Sequence, residues 1–389
     1  MNRYKIALLV LMAAAVIGAS ACSEEKAKQQ EPKAKVATLK EAYADKFLVG
    51  ATLGASMFSS SDKRSLDLVE KNFSAITLDN DMKWERINPM PGQYEFDIAD
   101  KFAKLGVDKD ITTVGHVLFW HSQTPDWVFQ DDEGNLLTRE ALLDRMRERA
   151  KMFASRYGDR VKIWDVVNEA IEDDGSLRQS LYYKIIGDDF IEQAFIIADQ
   201  EMPKDATLLY NDYGMDRTGR RATVIAMVND FKQRGIRIDG IGLQGHWTMN
   251  EPSVEKIDET LSMYAATGLP LHITELDIDF LGRDGLTGAN VDIEKLRATP
   301  ENNPYPNANF PAQAEEALSK RYQDIFKQFI KHHESIDRVT FWGVTDGDSW
   351  LNGWPISGRT NYPLLFNRDG SAKKAHDAVV SLVDTNAVD

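Results

Sequence analysis

From about Leu39 onward, short apolar runs alternate with longer amphipathic stretches. The apolar runs cover residues 47–53, 73–79, 111–118, 161–168, 207–212, 238–245, 270–277 and 338–344. Runs of this length, crowded with Val, Ile, Leu and aromatics, predict buried strands. The stretches between them carry helical spacing. The clearest is "REALLDRMRERAKMFASRYGD", where Leu142, Met146, Arg149, Phe153 and Tyr157 mark one stripe and only Arg149 is polar. Eight strands alternating with helices predict an α/β fold of the (β/α)8 TIM-barrel type, as a single catalytic domain over residues 39–389. A doubly wound sheet is the competing arrangement, but no Gly-rich phosphate loop follows any of the strands. The connection over 280–312 is rich in Gly, Pro and Asn and reads as an elaborated surface loop after the seventh strand. Its acids lack the ordered ligand spacing of a calcium site.

The amino-terminal pattern is different. "MNRYKIALLVLMAAAVIGASAC" has Arg3 and Lys5, an apolar run from Ile6 to Ile17, and small residues up to Cys22. That is the layout of an export signal, with an apolar stretch short of the ~20 residues of a membrane span. It resembles a bacterial lipoprotein signal over residues 1–21, which implies lipidation at Cys22. An ordinary signal cleaved near Cys22 is the alternative. Ala19 departs from the Leu more common in lipoprotein signals. Residues 22–38 are polar and charged and without aromatics, so they predict a flexible tether. The expected location is outside the cytoplasm, on a bacterial envelope membrane, with the cell surface one option.

Composition narrows the partners. The chain has 389 residues, 43% hydrophobic and 10% aromatic, with one cysteine and a net charge of −15. Losing residues 1–21 would remove Arg3 and Lys5 and leave −17. Nucleic acid needs a basic surface, so such a partner is excluded and a neutral ligand is favoured. A single cysteine cannot form an intrachain disulfide.

In a barrel, chemistry sits at the C-terminal ends of the strands. Those ends read "LDNDMKWE", "GHVLFWHSQTPDW", "NE", "NDY", "QGHW", "TELD" and "WGVTDGDSW". Almost every one offers a carboxylate, amide, imidazole or indole. Two carboxylates, Glu169 and Glu275, each follow an apolar run. A carboxylate pair across a cleft is the requirement of glycoside cleavage, with one acid protonated and the other ionised. A buried ion pair with Lys or Arg is the alternative for either residue alone. Trp120, Trp342 and Trp350 lie at strand ends, where their faces suit pyranose rings. Trp84, Trp127, Trp247 and Trp354 are ambiguous, and Trp164 belongs inside a strand. Asn80, Lys83, His116, Asn168, Gln244 and His246 can hydrogen-bond hydroxyls. The seven histidines show no metal-binding motif; His332 and His333 read as solvated positions on a helix.

The motifs "DNDMKWE", "GHVLFWHSQTPDW", "WDVVNEA", "NDY", "GLQGHW", "HITELDI", "WGVTDGDSW" and "PLLFNRDG" occur together and in this order. The chain thereby resembles glycoside hydrolase family 10, the endo-β-1,4-xylanases, over roughly residues 40–384. The resemblance implies a retaining enzyme acting on xylan or xylo-oligosaccharides without a metal or organic cofactor. It implies Glu169 as general acid/base and Glu275 as nucleophile. Asn168 would bond the sugar's 2-hydroxyl, and His246 would bond Glu275 and be oriented by Asp277. Asp79, Asn80, Lys83, His116, Trp120, Gln244, Trp342 and Trp350 would line the glycone subsites. Asp79 and Asp81 stand where the family usually has Glu, Gly214 where it has Asn, and Lys374 where it has Pro. A glucan-cleaving barrel and a surface lipoprotein that binds glycan without cutting it are the rival readings. An adhesive or structural role would leave the polar strand ends unexplained.

Overall fold

The computed structural model describes residues 37–283, 296–307 and 309–384. The chain divides into two units, Met1–Val36 and Ala37–Asp389. The signal segment, Cys22 and the tether up to Val36 lie outside the described residues, as does the middle of the 280–312 loop. The second unit opens at its first helical turn, Leu39–Ala42. Thr38 and Glu41 exchange side-chain-to-backbone bonds there as a capping box, so Thr38 belongs to the folded body.

Eight parallel strands follow: β1 Leu48–Leu53, β2 Ala75–Leu78, β3 Thr112–Gly115, β4 Ile163–Asn168, β5 Thr207–Asp212, β6 Gly240–Leu243, β7 Leu271–Asp279 and β8 Ile336–Phe341. Each pairs with the next, and β8 pairs with β1, which closes the barrel. The strands occupy the eight apolar runs, with β8 starting two residues earlier than the pattern predicts. After them come α1 Arg64–Asn72, α2 Asp97–Lys109, α3 Arg139–Tyr157, α4 Phe190–Glu201, α5 Thr218–Arg234, α6 Val254–Ala265, α7 Ala312–Lys331 and α8 Lys374–Asp384. Two short strands, Phe119–Trp120 and His246–Thr248, extend the rim beside β4 and β7.

Register decides which side chains enter the lumen. The pairs Thr52↔Thr77, Thr77↔Val114, Val114↔Ile163, Asp165↔Leu209, Leu209↔Gly240, Gly242↔His272 and His272↔Arg338 put one set of residues on a common face. Only Val114, Ile163 and Leu209 make an apolar cluster there, apart from the main core. The rest of this face is Thr, Gly, Asp165, His272 and Arg338. The main core lies outside the strands, where Trp164, Ile76, Ile273 and Val339 pack against the helices. A polar lumen is not visible in the apolar runs, because each run mixes both faces.

All five stripe residues of α3 are buried. Arg149 is the informative one. Its guanidinium donates to the carbonyls of Leu118 (2.7 Å), Val117 (2.9 Å) and Met82 (2.8 Å) and lies over the Trp84 ring. Burial pushes it down to about 9. Among the described residues this buried cation has no carboxylate partner, and it ties the loops after β2 and β3 to the helix behind them. The expectation of solvated helical positions is corrected for His332, whereas His333 opens a short 3-10 helix and is half-buried. α7 ends at Lys331, and His332 is half-buried with its Nε2 2.7 Å from Asp258. Residues 296–307 of the long loop pack on residues 357–360, and Arg359 donates to the Asn302 and Gly282 carbonyls.

Candidate active site

The end of β4 positions two adjacent side chains toward one place, which a regular strand cannot do. Successive residues of a strand point to opposite faces. Glu169 breaks the alternation with a left-handed backbone, φ +59°. For a residue with a side chain this costs about 1–3 kcal/mol and persists only where its surroundings hold it. Here they do. The Glu169 N–H donates to the Asn211 carbonyl (3.0 Å), and the Glu169 carbonyl accepts from Arg178 Nε (2.7 Å). The next N–H, of Ala170, donates to the Tyr210 hydroxyl, which itself donates to Asp212 Oδ2 at 2.6 Å.

The turn brings the Glu169 carboxyl among three donors. Trp120 Nε1 donates to Oε2 (3.0 Å), while Gln244 Nε2 (2.9 Å) and Asn168 Nδ2 (3.3 Å) donate to Oε1. The rim strand that pairs Trp120 with Asn168 sets the first of these. Glu275 sits within β7 and is buried. Its Oε1 accepts from Asn211 Nδ2 (2.8 Å) and its Oε2 lies 3.1 Å from His246 Nε2. Asn168 Oδ1 joins the two carboxyl groups, accepting from both Gln244 Nε2 (3.2 Å) and Asn211 Nδ2 (3.0 Å). The two acids therefore belong to one hydrogen-bonded rim, Glu169–Gln244–Asn168–Asn211–Glu275. Thr274 Oγ1 donates to Asn211 Oδ1 (2.6 Å) and so fixes which end of that amide faces Glu275. Gly242 makes room for it, since a Cβ there would lie 2.5 Å from Asn211 Oδ1.

His246 stands between two carboxylates, with Nδ1 3.1 Å from Asp277 Oδ1. Burial alone would lower its basicity; Asp277 and then Glu275 outweigh that and raise it to about 9. At neutral pH it is a cation. Trp350 Nε1 donates to the other Asp277 oxygen at 2.7 Å, so this indole holds the orienting acid as well as offering its face. Trp354 stacks on Trp350 (centroids 4.8 Å apart), and Trp342 lies edge-on to both His116 and His246. His116 is buried with Nδ1 2.8 Å from Asp165.

A second polar cluster lies beyond Trp120. Lys83 Nζ donates to Asn80 Oδ1 and Gln123 Oε1, both 2.9 Å away, and is 4.8 Å from the Trp120 ring centre. Burial pushes the Lys83 ammonium down and the Asp79 carboxyl up, even though the two lie 3.9 Å apart. Asn80 Nδ2 donates to Asp79 Oδ2 at 2.7 Å. The shorter Asp79 thus still engages this cluster.

Every residue singled out from the sequence for catalysis or binding stands at the C-terminal rim of the barrel. Sequence reasoning gave no role to Asn211, Gln123 or Arg178 and left Trp354 ambiguous. Asn211 had a signal: it belongs to the polar strand end "NDY", one residue before β5 stops at Asp212, and it pairs in register with Asn168. Of the ambiguous tryptophans, Trp84 packs under Arg149 and against Trp127, and Trp247 packs on Phe329. Two departures have local reasons. Gly214 has φ +50°, and a Cβ would meet the Arg220 guanidinium at 2.5 Å. Lys374 uses a backbone N–H, which proline lacks, to bond Glu315 Oε1 at 3.1 Å.

The family described as glycosyl hydrolase family 10 matches residues 38–382. Endo-1,4-beta-xylanase A of Xylanibacter ruminicola is 40% identical over 89% of this chain and 94% of its own length. An endo-1,4-beta-xylanase of Geobacillus stearothermophilus is 37% identical over 89% of this chain and 99% of its own. Among solved structures, a GH10 endoxylanase from a sugarcane soil metagenome is 41% identical with a TM-score of 0.83, covering 89% of this chain and 99% of that one. A mutant structure in complex with xylotriose is similar at 33% identity and a TM-score of 0.77, covering 88% and 99%.

Proposed function

The chain belongs to glycosyl hydrolase family 10, and on that premise we propose that it is an endo-1,4-β-xylanase. It hydrolyses internal β-1,4-xylosidic bonds of xylan by double displacement, with retention at the anomeric carbon. Glu275 attacks carbon one while Glu169 gives its proton to the leaving oxygen, and a glycosyl–Glu275 ester forms. Glu169, now a carboxylate, takes a proton from water, the water oxygen attacks carbon one, and Glu275 leaves. The protonated His246 and the Asn211 amide hold the Glu275 carboxyl in one orientation throughout. In this reading Asn168 bonds the 2-hydroxyl of the reacting sugar, and its bonds to the amides that hold both acids support that role. Asp79, Asn80, Lys83, His116, Trp120, Gln244, Trp342 and Trp350 line the glycone side.

The observation that carries this reading is the amide bridge through Asn168, which ties Glu169 to Glu275 across one rim. Azide supplies the test. With a Glu169→Ala variant, added azide should restore turnover of an activated aryl xylobioside and give the β-azide; with Glu275→Ala it should give the α-azide. The same anomer from both variants would refute the two roles. Xylan against carboxymethyl cellulose as substrate separates xylanase from glucanase.

For the amino terminus, the proposal is a lipoprotein signal over residues 1–21, a lipid on Cys22 and a tether that holds the barrel off an envelope membrane. The basic, apolar and small-residue order of that segment supports it. Metabolic labelling with a fatty acid should mark the full chain and not Cys22→Ser. Unlabelled wild type in a bacterial host would leave an ordinary export signal as the reading.

A further inference from the structure

Arg178 lies outside the reacting groups, yet among the described residues it is the only side chain that bonds the main-chain carbonyl of Glu169. Its own position is fixed on two sides. Nη2 donates to the Tyr213 hydroxyl at 2.8 Å, and Nη1 pairs with Glu172 at 3.2 Å. The side chain is only 12% exposed. It approaches from the loop after β4, nine residues beyond the acid that it supports.

The backbone at Glu169 explains why such a contact matters. The left-handed turn is what lets Asn168 and Glu169 face the same side. If Glu169 relaxed to an extended conformation, alternation would swing its carboxyl away from Gln244 and Asn168. The carbonyl that Arg178 holds belongs to the peptide unit on which that turn pivots. A guanidinium can grip a carbonyl oxygen with a charge-assisted bond, stronger than a neutral amide would give.

We propose that Arg178 is a positioning residue for the acid/base step: by holding the Glu169 carbonyl it keeps the Glu169 carboxyl where the leaving oxygen must receive its proton. This rests on Glu169 being the acid/base. The role differs from a general contribution to folding in one respect. It should matter most for substrates whose leaving group needs a proton.

The test compares kcat/KM, which reports formation of the glycosyl-enzyme, for a 2,4-dinitrophenyl and an unactivated xylo-oligosaccharide substrate. The full-length enzyme is measured beside Arg178→Met, Arg178→Lys and Glu169→Gln. For Arg178→Met the expected loss is roughly 10- to 100-fold on the oligosaccharide and under about threefold on the dinitrophenyl substrate. Arg178→Lys, which can still donate to the carbonyl, should recover most of the difference. Should Arg178→Met fail to fold, the lysine variant carries the test, with a smaller loss still confined to the oligosaccharide. Equal losses on both substrates, with Glu169→Gln still leaving-group dependent, would overturn the role of Arg178 alone. A Glu169→Gln variant with no leaving-group dependence would remove the acid/base assignment and this inference with it.

Discussion

Replacing Asp277 by Asn tests the electrostatics of the rim with little change of shape. In the wild type, His246 is raised from its ordinary value of 6.5 to about 9. At 1.36 kcal/mol per unit, that is about 3 kcal/mol in favour of the imidazolium, net of burial. The site is almost wholly buried, so solvent screening takes little from this figure. A group whose folded value is raised stabilises fully below its unfolded value and loses that contribution as pH climbs through the folded one. Wild-type stability should therefore fall by about 2 kcal/mol between pH 7 and 9.5 from this residue alone. Asp277 is the larger of the two charges that raise His246. With Asn, the amide oxygen can keep the bond from Trp350 Nε1 and turn its NH2 toward Nδ1, which favours the neutral ring. Most of the slope should then disappear, to below about 1 kcal/mol over the same range. Reversible urea unfolding at pH 7 and 9.5 measures it, and kcat/KM of the variant should decline from neutral pH upward. Parallel pH slopes for wild type and Asp277→Asn would show that His246 is not the titrating group.

Three other perturbations probe the supports of the site. Lys373→Met should cost about 3–5 kcal/mol, because Lys373 and Asp346 are both fully buried, 2.9 Å apart, and the carboxylate would be left unpaired; adding Asp346→Asn should recover part of the loss in urea unfolding. Arg149→Met releases three carbonyls of the loops after β2 and β3 and should lower stability by about 2–4 kcal/mol, with a raised KM because those loops carry Lys83 and Trp120. Trp354→Ala removes the ring stacked on Trp350. A stack of this kind is worth about 0.5–1.5 kcal/mol, so KM for xylo-oligosaccharides should rise roughly two- to tenfold at little change in kcat.

The strand runs, the α3 stripe and the polar strand ends are local patterns, and they were legible without coordinates. Burial of a strand demands apolar residues in sequence, a helix face demands them at helical spacing, and a barrel collects chemistry at one end of every strand. Glu169, Glu275, Asn168, His246 and Asp277 follow from that, together with the specific motifs around them. What folding alone decided is pairing and direction. No periodicity in "WDVVNE" indicates that Glu169 turns left-handed, or that Arg178 and Asn211 hold the turn. Arg149 reads as a flaw in an apolar stripe and becomes an anchor only because three carbonyls from other segments converge on it. The polar lumen depends on inter-strand register, which sets Arg338 beside His272 and Gly242 beside Asn211. Such contacts join residues tens of positions apart, and a hydrogen bond needs donor and acceptor within about 3 Å at a good angle. The sequence names which groups are available at each strand end; only closure of the barrel fixes the distances at which they meet.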